Sequence, residues 1–152
     1  MKIKLFILAC MMMFTGSAFA QQKSLNVQQQ NLRSSIMSFL RDEGYQPSID
    51  DDGDIKFKRQ GDIYYVIVSE NDESPMYIRL AKYFEYGTKM TKQKVRESCE
   101  EINKYKMLKL SPLNNSFCMD IVLYVTNSQA FTAIFNKVIK IMEDAEEELY
   151  GN

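Results

Sequence analysis

The side chains of this sequence that can do chemistry are mainly acids, cysteines and tyrosines, because the chain contains no histidine. Histidine is the commonest general base and the commonest metal ligand, so both uses are removed together. The sequence also lacks the G-x-S-x-G, P-loop and G-x-G-x-x-G motifs. Cys99 and Cys118, without neighbouring ligands, offer no zinc site. We therefore predict a protein that is not an enzyme, with no catalytic residue, no metal and no cofactor.

The acidic residues are concentrated in two segments. If two acids converged in one cleft, they would favour an alternative function, a hydrolase that uses carboxylates. Asp50–Asp54 can be aligned with a calcium loop, but position twelve would be Arg59, where such a loop needs a bidentate glutamate. We interpret this segment as an acidic turn that leads into a strand. Glu143–Glu148 is typical of the solvated face of a helix. Because negative charge is unfavourable at a helix C-terminus, we expect the last helix to fray after about Ala145.

The two cysteines have two interpretations. In an oxidising compartment Cys99 and Cys118 could form a disulfide, and closing a loop of this length would contribute on the order of 3 kcal/mol. Each cysteine also lies on an otherwise apolar pattern, one in a predicted helix and one in a predicted strand. Buried free thiols that act as small hydrophobic residues are therefore the alternative.

Tyrosines are concentrated where strands are predicted, as expected for half-buried sheets. Tyrosine and arginine are also favoured in protein interfaces. We predict that one sheet face, bearing Tyr64, Tyr77 and Arg79, stays open for a protein partner or for a second copy of this chain. A homodimer would bury that face.

The first twenty residues resemble a cleavable secretory signal. Residues 1–4 are basic, the apolar run Leu5–Phe14 follows, and Ala18 and Ala20 have the spacing that signal peptidase accepts. We therefore expect a signal peptide at residues 1–20 and a periplasmic or secreted protein.

Membrane attachment is the alternative interpretation of the same segment. A transmembrane helix needs roughly 20 apolar residues, and Leu5–Phe14 is half that length. Cys10 sits in a loose lipoprotein box, but the apolar run continues beyond it where a polar tether is expected. A lipoprotein anchored through Cys10 is therefore the less favoured alternative, and no transmembrane segment is expected after cleavage.

Charge argues against a nucleic-acid partner. The leader carries two of the 19 basic residues and none of the 20 acidic ones, so residues 21–152 have a formal net charge of −3. Phosphate binding needs a concentrated positive field. The length of residues 21–152 predicts a single domain with a proper core.

The apolar periodicity predicts an α+β fold with the order α-β-β-β-α-β-β-α, an antiparallel five-stranded sheet packed by helices. Ile63–Val68 is apolar at every position, which predicts a central strand covered on both faces. The predicted helices run from about Val27 to an end at Gly44, over about Thr91 to Lys104, and from a cap at Asn127 or Ser128. The predicted strands are Ile55–Lys58, Ile63–Val68, Met76–Ala81, about Lys106 to Leu110, and about Ser116 to Val125.

Two segments resemble the YbjN-like group, which shares its fold with the type III secretion chaperones. These are FLRDEGYQPSIDDDGDIKFKRQGDIYYVIV and CEEINKYKMLKLSP, in which Asn103 matches the asparagine-rich helix end of that family. The resemblance implies a small, often dimeric α+β domain that binds other polypeptides or itself, without known catalysis. Because type III chaperones act in the cytosol, an exported relative would share their fold and not their role.

Together these observations predict an exported, non-enzymatic protein-binding module. The alternative is a small-ligand carrier that uses an aromatic-lined pocket between the sheet and the helices.

Overall fold

The computed structural model describes residues 24–70, 74–102 and 104–151. The expected signal peptide, Cys10 and Asn103 lie outside the described residues. Within them, no helix combines the length and the apolar character needed to cross a membrane. The described elements are α1 (Val27–Asp42), β1 (Ser48–Ile49), β2 (Ile55–Arg59), β3 (Asp62–Val68), β4 (Met76–Glu85), α2 (Lys92–Ile102), β5 (Leu108–Pro112), β6 (Ser116–Val125) and α3 (Ser128–Gly151).

The strands form one antiparallel sheet in the order β1-β2-β3-β4-β6-β5. The predicted α+β class is confirmed, with six strands among the described residues where five were expected. The additional strand, β1, has two residues that pair with Ile55 and Lys56, and two residues are too few to show an alternating pattern. The longest ladder joins β4 to β6 over Met76–Glu85, so β4 extends four residues beyond its predicted end.

The three described helices share a single hydrophobic core with one side of the sheet, which we call the inner face. Helix α1 begins at a capping box, in which Asn26 accepts a hydrogen bond from the backbone of Gln29 and the Gln29 side chain accepts one from the backbone of Asn26. It ends before Gly44, whose φ of 88° is the left-handed conformation that glycine adopts without strain. The rings of Phe39 and Phe135 then join α1 to α3, with centroids 5.3 Å apart.

Helix α3 continues to Gly151, so the expected fraying after Ala145 is wrong. Two acids of its last turns contact cations from elsewhere in the fold. Glu146 accepts a hydrogen bond from the Lys82 ammonium, and Glu148 accepts hydrogen bonds from Lys104 and from the Tyr105 hydroxyl. These contacts offset the unfavourable charge at the helix end.

Candidate functional site

The candidate site is the side of the sheet opposite the helices, which we call the outer face. Strand alternation divides the side chains between the two sides, and no outer-face side chain belongs to the core that the described helices share. The outer face comprises Lys56 and Lys58 of β2, Ile63, Tyr65 and Ile67 of β3, Tyr77, Arg79, Ala81, Tyr83 and Glu85 of β4, Lys109 and Ser111 of β5, and Ser116, Cys118, Asp120, Val122 and Tyr124 of β6.

Four tyrosines stand on this face as two edge-to-face pairs. Tyr77 and Tyr124 are direct cross-strand partners, and their ring centroids are 5.5 Å apart with planes at 79°. Tyr65 and Tyr83 form the second pair with the same separation and angle. Edge-to-face contact between aromatic rings is favourable, so each ring is held in place by its partner. Tyr124 is nevertheless 68% exposed.

An ion pair occupies the centre of the outer face. Arg79 Nε donates to Asp120 Oδ2 at 2.9 Å, and Arg79 Nη2 lies 3.9 Å from Cys118 Sγ. Asp120 is buried beneath the guanidinium group. Burial raises the pKa of the Cys118 thiol to about 11 and also raises the pKa of Tyr83 above its usual value. Both groups are therefore neutral at physiological pH, and the ion pair carries no net charge.

The three residues predicted for partner binding do not share one face. Tyr77 and Arg79 lie on the outer face, whereas Tyr64 lies on the inner face, where it is buried and stacks on Phe57 at 5.5 Å. Burial also raises the Tyr64 pKa. Tyr64 is therefore a core residue, and the tyrosine of β3 that faces outward is its neighbour Tyr65.

The prediction that β3 is covered on both faces is wrong. Its outward side chains, Ile63, Tyr65 and Ile67, are half-buried, and no described helix packs on them. The apolar side chains of β3 therefore pack in the core on the inner face and form part of the candidate site on the outer face.

Cys99 and Cys118 are free thiols, so the disulfide considered from the sequence is not formed. Cys118 lies on the outer face, whereas Cys99 lies on α2, which packs with the core. The Cys99 thiol donates to the backbone oxygen of Val95 at 3.2 Å, and burial raises its pKa. The sheet separates the two sulfur atoms.

The inner face holds a cluster of charges that the sequence did not reveal. Lys82 Nζ donates to Asp62 Oδ2 at 2.7 Å and to Glu146, and it lies over two aromatic rings. Beside it, Arg59 donates to Glu143 at 2.7 Å. Because Arg59 and Lys82 lie on the sheet and their partners Glu143 and Glu146 lie on α3, these ion pairs hold α3 against the sheet. Within the described residues, no three cysteine or acidic side chains are placed to hold a metal ion.

Surface cavities bear on the ligand-carrier alternative. One of about 460 Å³ opens beside β2, with Tyr45 and Phe57 as its aromatic lining. Another of about 350 Å³ lies between Gln28 of α1 and Ser128 of α3 and is lined mainly by amides and hydroxyls, with no charged or aromatic residue. Both open to the surface. Neither offers the extended aromatic surface of the outer face.

Comparison of the chain with protein-family models, curated proteins and solved structures finds no match. The fold and the outer face are therefore the basis for assigning a function.

Proposed function

We propose that this chain is an exported, non-enzymatic protein-binding module that binds a polypeptide partner through its outer face. One observation carries the proposal: a sheet face five strands wide presents two tyrosine pairs and has no described helix packed on it. Contiguous exposed apolar surface on a soluble protein is a mark of an interaction site.

The size of the outer face suits a macromolecule. Strands lie about 4.8 Å apart and rise about 3.3 Å per residue, so five strands over seven residues cover roughly 550 Å² in projection. The accessible area of the side chains on such a face is larger than its projection. A stable protein interface buries about 800 Å² on each partner, whereas small molecules bind in concave sites.

The composition of the outer face supports the same proposal. Tyrosine and arginine are enriched at protein interfaces and dominate their binding energy. A tyrosine ring already held by a neighbouring ring loses little freedom on binding, which lowers the entropic cost of association. The pairs Tyr65–Tyr83 and Tyr77–Tyr124 are organised in this way before any partner arrives.

Export and the absence of catalysis are supported by the sequence. The expected signal peptide at residues 1–20 would direct the chain out of the cytosol. The chain has no histidine to act as a general base, and in the charge cluster around Lys82 both cations, Lys82 and Arg59, are paired with acids.

Photo-crosslinking in the producing organism tests the proposal. Benzoylphenylalanine is placed at Tyr124 in the full chain and, as a control, at Val27, which is equally accessible at 72% but lies at the start of α1. We expect crosslinks to a polypeptide from position 124 and not from position 27. The N-terminus of the purified product should be Gln21.

The crosslinked polypeptide is then purified and its affinity measured with matched variants. Tyr124→Thr should weaken binding at least tenfold, since removal of a tyrosine that contributes strongly to an interface costs about 2 kcal/mol, whereas Val27→Thr should leave it unchanged. Equal crosslinking at both positions, or equal affinity of both variants, would refute the proposal.

A further inference from the structure

We propose that the partner is an acidic polypeptide, with carboxylates that contact lysines on opposite sides of the outer face and apolar side chains that cover the tyrosine pairs. This inference rests on the proposed function and specifies the chemistry of its partner.

Charge is segregated between the outer face and the rest of the chain. The outer face carries four cations and two acids, and the Arg79–Asp120 pair at its centre cancels. The charges that remain are three positive ones, on Lys56, Lys58 and Lys109, and one negative one, on Glu85. The outer face therefore has a formal charge of +2. Residues 21–152 carry −3 in total, so those of them outside the outer face carry −5. A positive patch on a negative protein selects a negative partner.

The three lysines are not paired with acids of the described residues. Lys56, Lys58 and Lys109 form no ion pair with any described residue, whereas Lys82 and Lys104 are both paired. Lys109 lies opposite Asp120 in the β5–β6 ladder, yet the acid is paired with the arginine instead. These ammonium groups are available to carboxylates from outside the chain.

The sheet register places the lysines on both sides of the tyrosines. Lys56 and Lys58 lie on β2, and Lys109 lies on β5, with β3, β4 and β6 between them. Four spacings of about 4.8 Å separate the two groups by roughly 19 Å. An extended segment of about six residues spans that distance at about 3.3 Å per residue. The matching partner has acids at both ends of an apolar stretch of this length.

A second copy of the chain fits the charges less well. A two-fold dimer brings the same patch of each copy together. Because lysines lie on both sides of the outer face, either sheet orientation would place positive rims against each other, and like charges disfavour association. A nucleic acid would match the lysines, but the negative charge on the rest of the chain opposes it.

The probes are three labelled ten-residue peptides, each with six alternating valines and threonines between terminal pairs of glutamate, glutamine or lysine. Fluorescence anisotropy with the purified full chain measures their affinities at 20 and 300 mM NaCl. We expect the glutamate peptide to bind about tenfold more tightly than the glutamine peptide at low salt, and the difference to shrink at high salt.

Charge reversal identifies the responsible lysines. The triple variant Lys56→Glu, Lys58→Glu, Lys109→Glu should lose the preference for glutamate and bind the lysine peptide instead.

A control with the same change in charge reverses three exposed or half-exposed cations away from the outer face. The variant Lys89→Glu, Lys94→Glu, Lys137→Glu should keep the preference.

Four results would overturn the inference. These are equal binding of the glutamate and glutamine peptides, no detectable binding of the glutamate peptide, tighter binding of a 20-nucleotide single-stranded DNA, and a dimer in light scattering that Tyr124→Thr dissociates. The crosslinking experiment separates this failure from failure of the proposed function. Crosslinks at position 124 with no glutamate preference would leave protein binding intact and reject an acidic partner.

Discussion

Replacing Lys82 with alanine should destabilise the fold more than any exposed lysine substitution. Lys82 is 3% exposed on the inner face. Its ammonium group lies 2.7 Å from Asp62 and contacts Glu146, and it lies 5.0 Å from the ring centroid of Phe84 and 5.3 Å from that of Tyr64. The substitution removes this cation and leaves two acids without their partner.

The expected magnitude follows from the exposure of those acids. Removing one partner of a fully buried ion pair costs about 3–5 kcal/mol. The Asp62 and Glu146 side chains are 53% and 24% exposed, so water restores part of their solvation. Loss of the buried alkyl stem adds about 1–2 kcal/mol. We therefore expect Lys82→Ala to lower the free energy of unfolding by about 3 kcal/mol, and Lys82→Met, which keeps an apolar stem, by roughly half as much.

Urea unfolding followed by far-ultraviolet circular dichroism measures both values, and the chain has no tryptophan to report by fluorescence. The control is Lys140→Ala, which breaks the solvent-exposed pair with Asp144 on α3 and should change stability little. If Lys82→Ala were no more destabilising than Lys140→Ala, the inner-face cluster would contribute nothing, and our explanation for the persistence of α3 would be rejected.

The remaining predictions concern a glycine and a thiol. Gly44→Ala should cost about 1–2 kcal/mol in urea unfolding, because φ is 88° and an added Cβ meets no atom within 4 Å, so the cost is in the backbone alone. Gly87→Ala, with equally open surroundings and no positive φ, should change little, and equal effects of both would contradict this reasoning. Cys118, with its pKa raised from 9.0 to about 11, should resist thiol reagents at pH 8 until the chain unfolds. Between pH 9 and 11 the Cys118 thiol ionises in the unfolded state and stays mostly protonated in the folded state. The free energy of unfolding should therefore decrease by up to about 2 kcal/mol over this range because of Cys118, and Cys118→Ala should not show this part of the decrease.

The α+β class and most elements could be predicted because apolar residues recur at the spacing of a helix or a strand along most of the sequence. Ser116–Val125 has the same bounds in the structure as in the prediction, and α1 begins where its apolar spacing begins. The last turns of α3 were mispredicted because the cations that stabilise them, Lys82 and Lys104, lie more than 40 residues away in sequence. Local rules for helix ends contain no information about such distant partners.

The position of Tyr64 could have been predicted from the neighbouring turn. Gln60 and Gly61 both have positive φ, which is typical of a two-residue hairpin. Such a hairpin pairs Arg59 with Asp62 and hence Phe57 with Tyr64. Paired residues share a face, so Tyr64 follows Phe57 into the core. The uniform apolar character of β3 concealed this, whereas the strict alternation of β2 shows it.

Strand β4 contributes alternate residues to the two faces of the sheet, so residues that stabilise the fold and residues that we propose to bind a partner lie on the same strand. Lys82 faces inward, where Asp62 and Glu146 use its charge within the fold. Arg79 faces outward, three residues earlier, and the tyrosine pairs flank it. Tyr124, on the adjacent strand, contributes little to the core because most of its surface is exposed. A substitution there should therefore change partner affinity much more than the free energy of unfolding, because within the fold it removes little beyond the edge-to-face contact with Tyr77. The reverse should hold at Lys82.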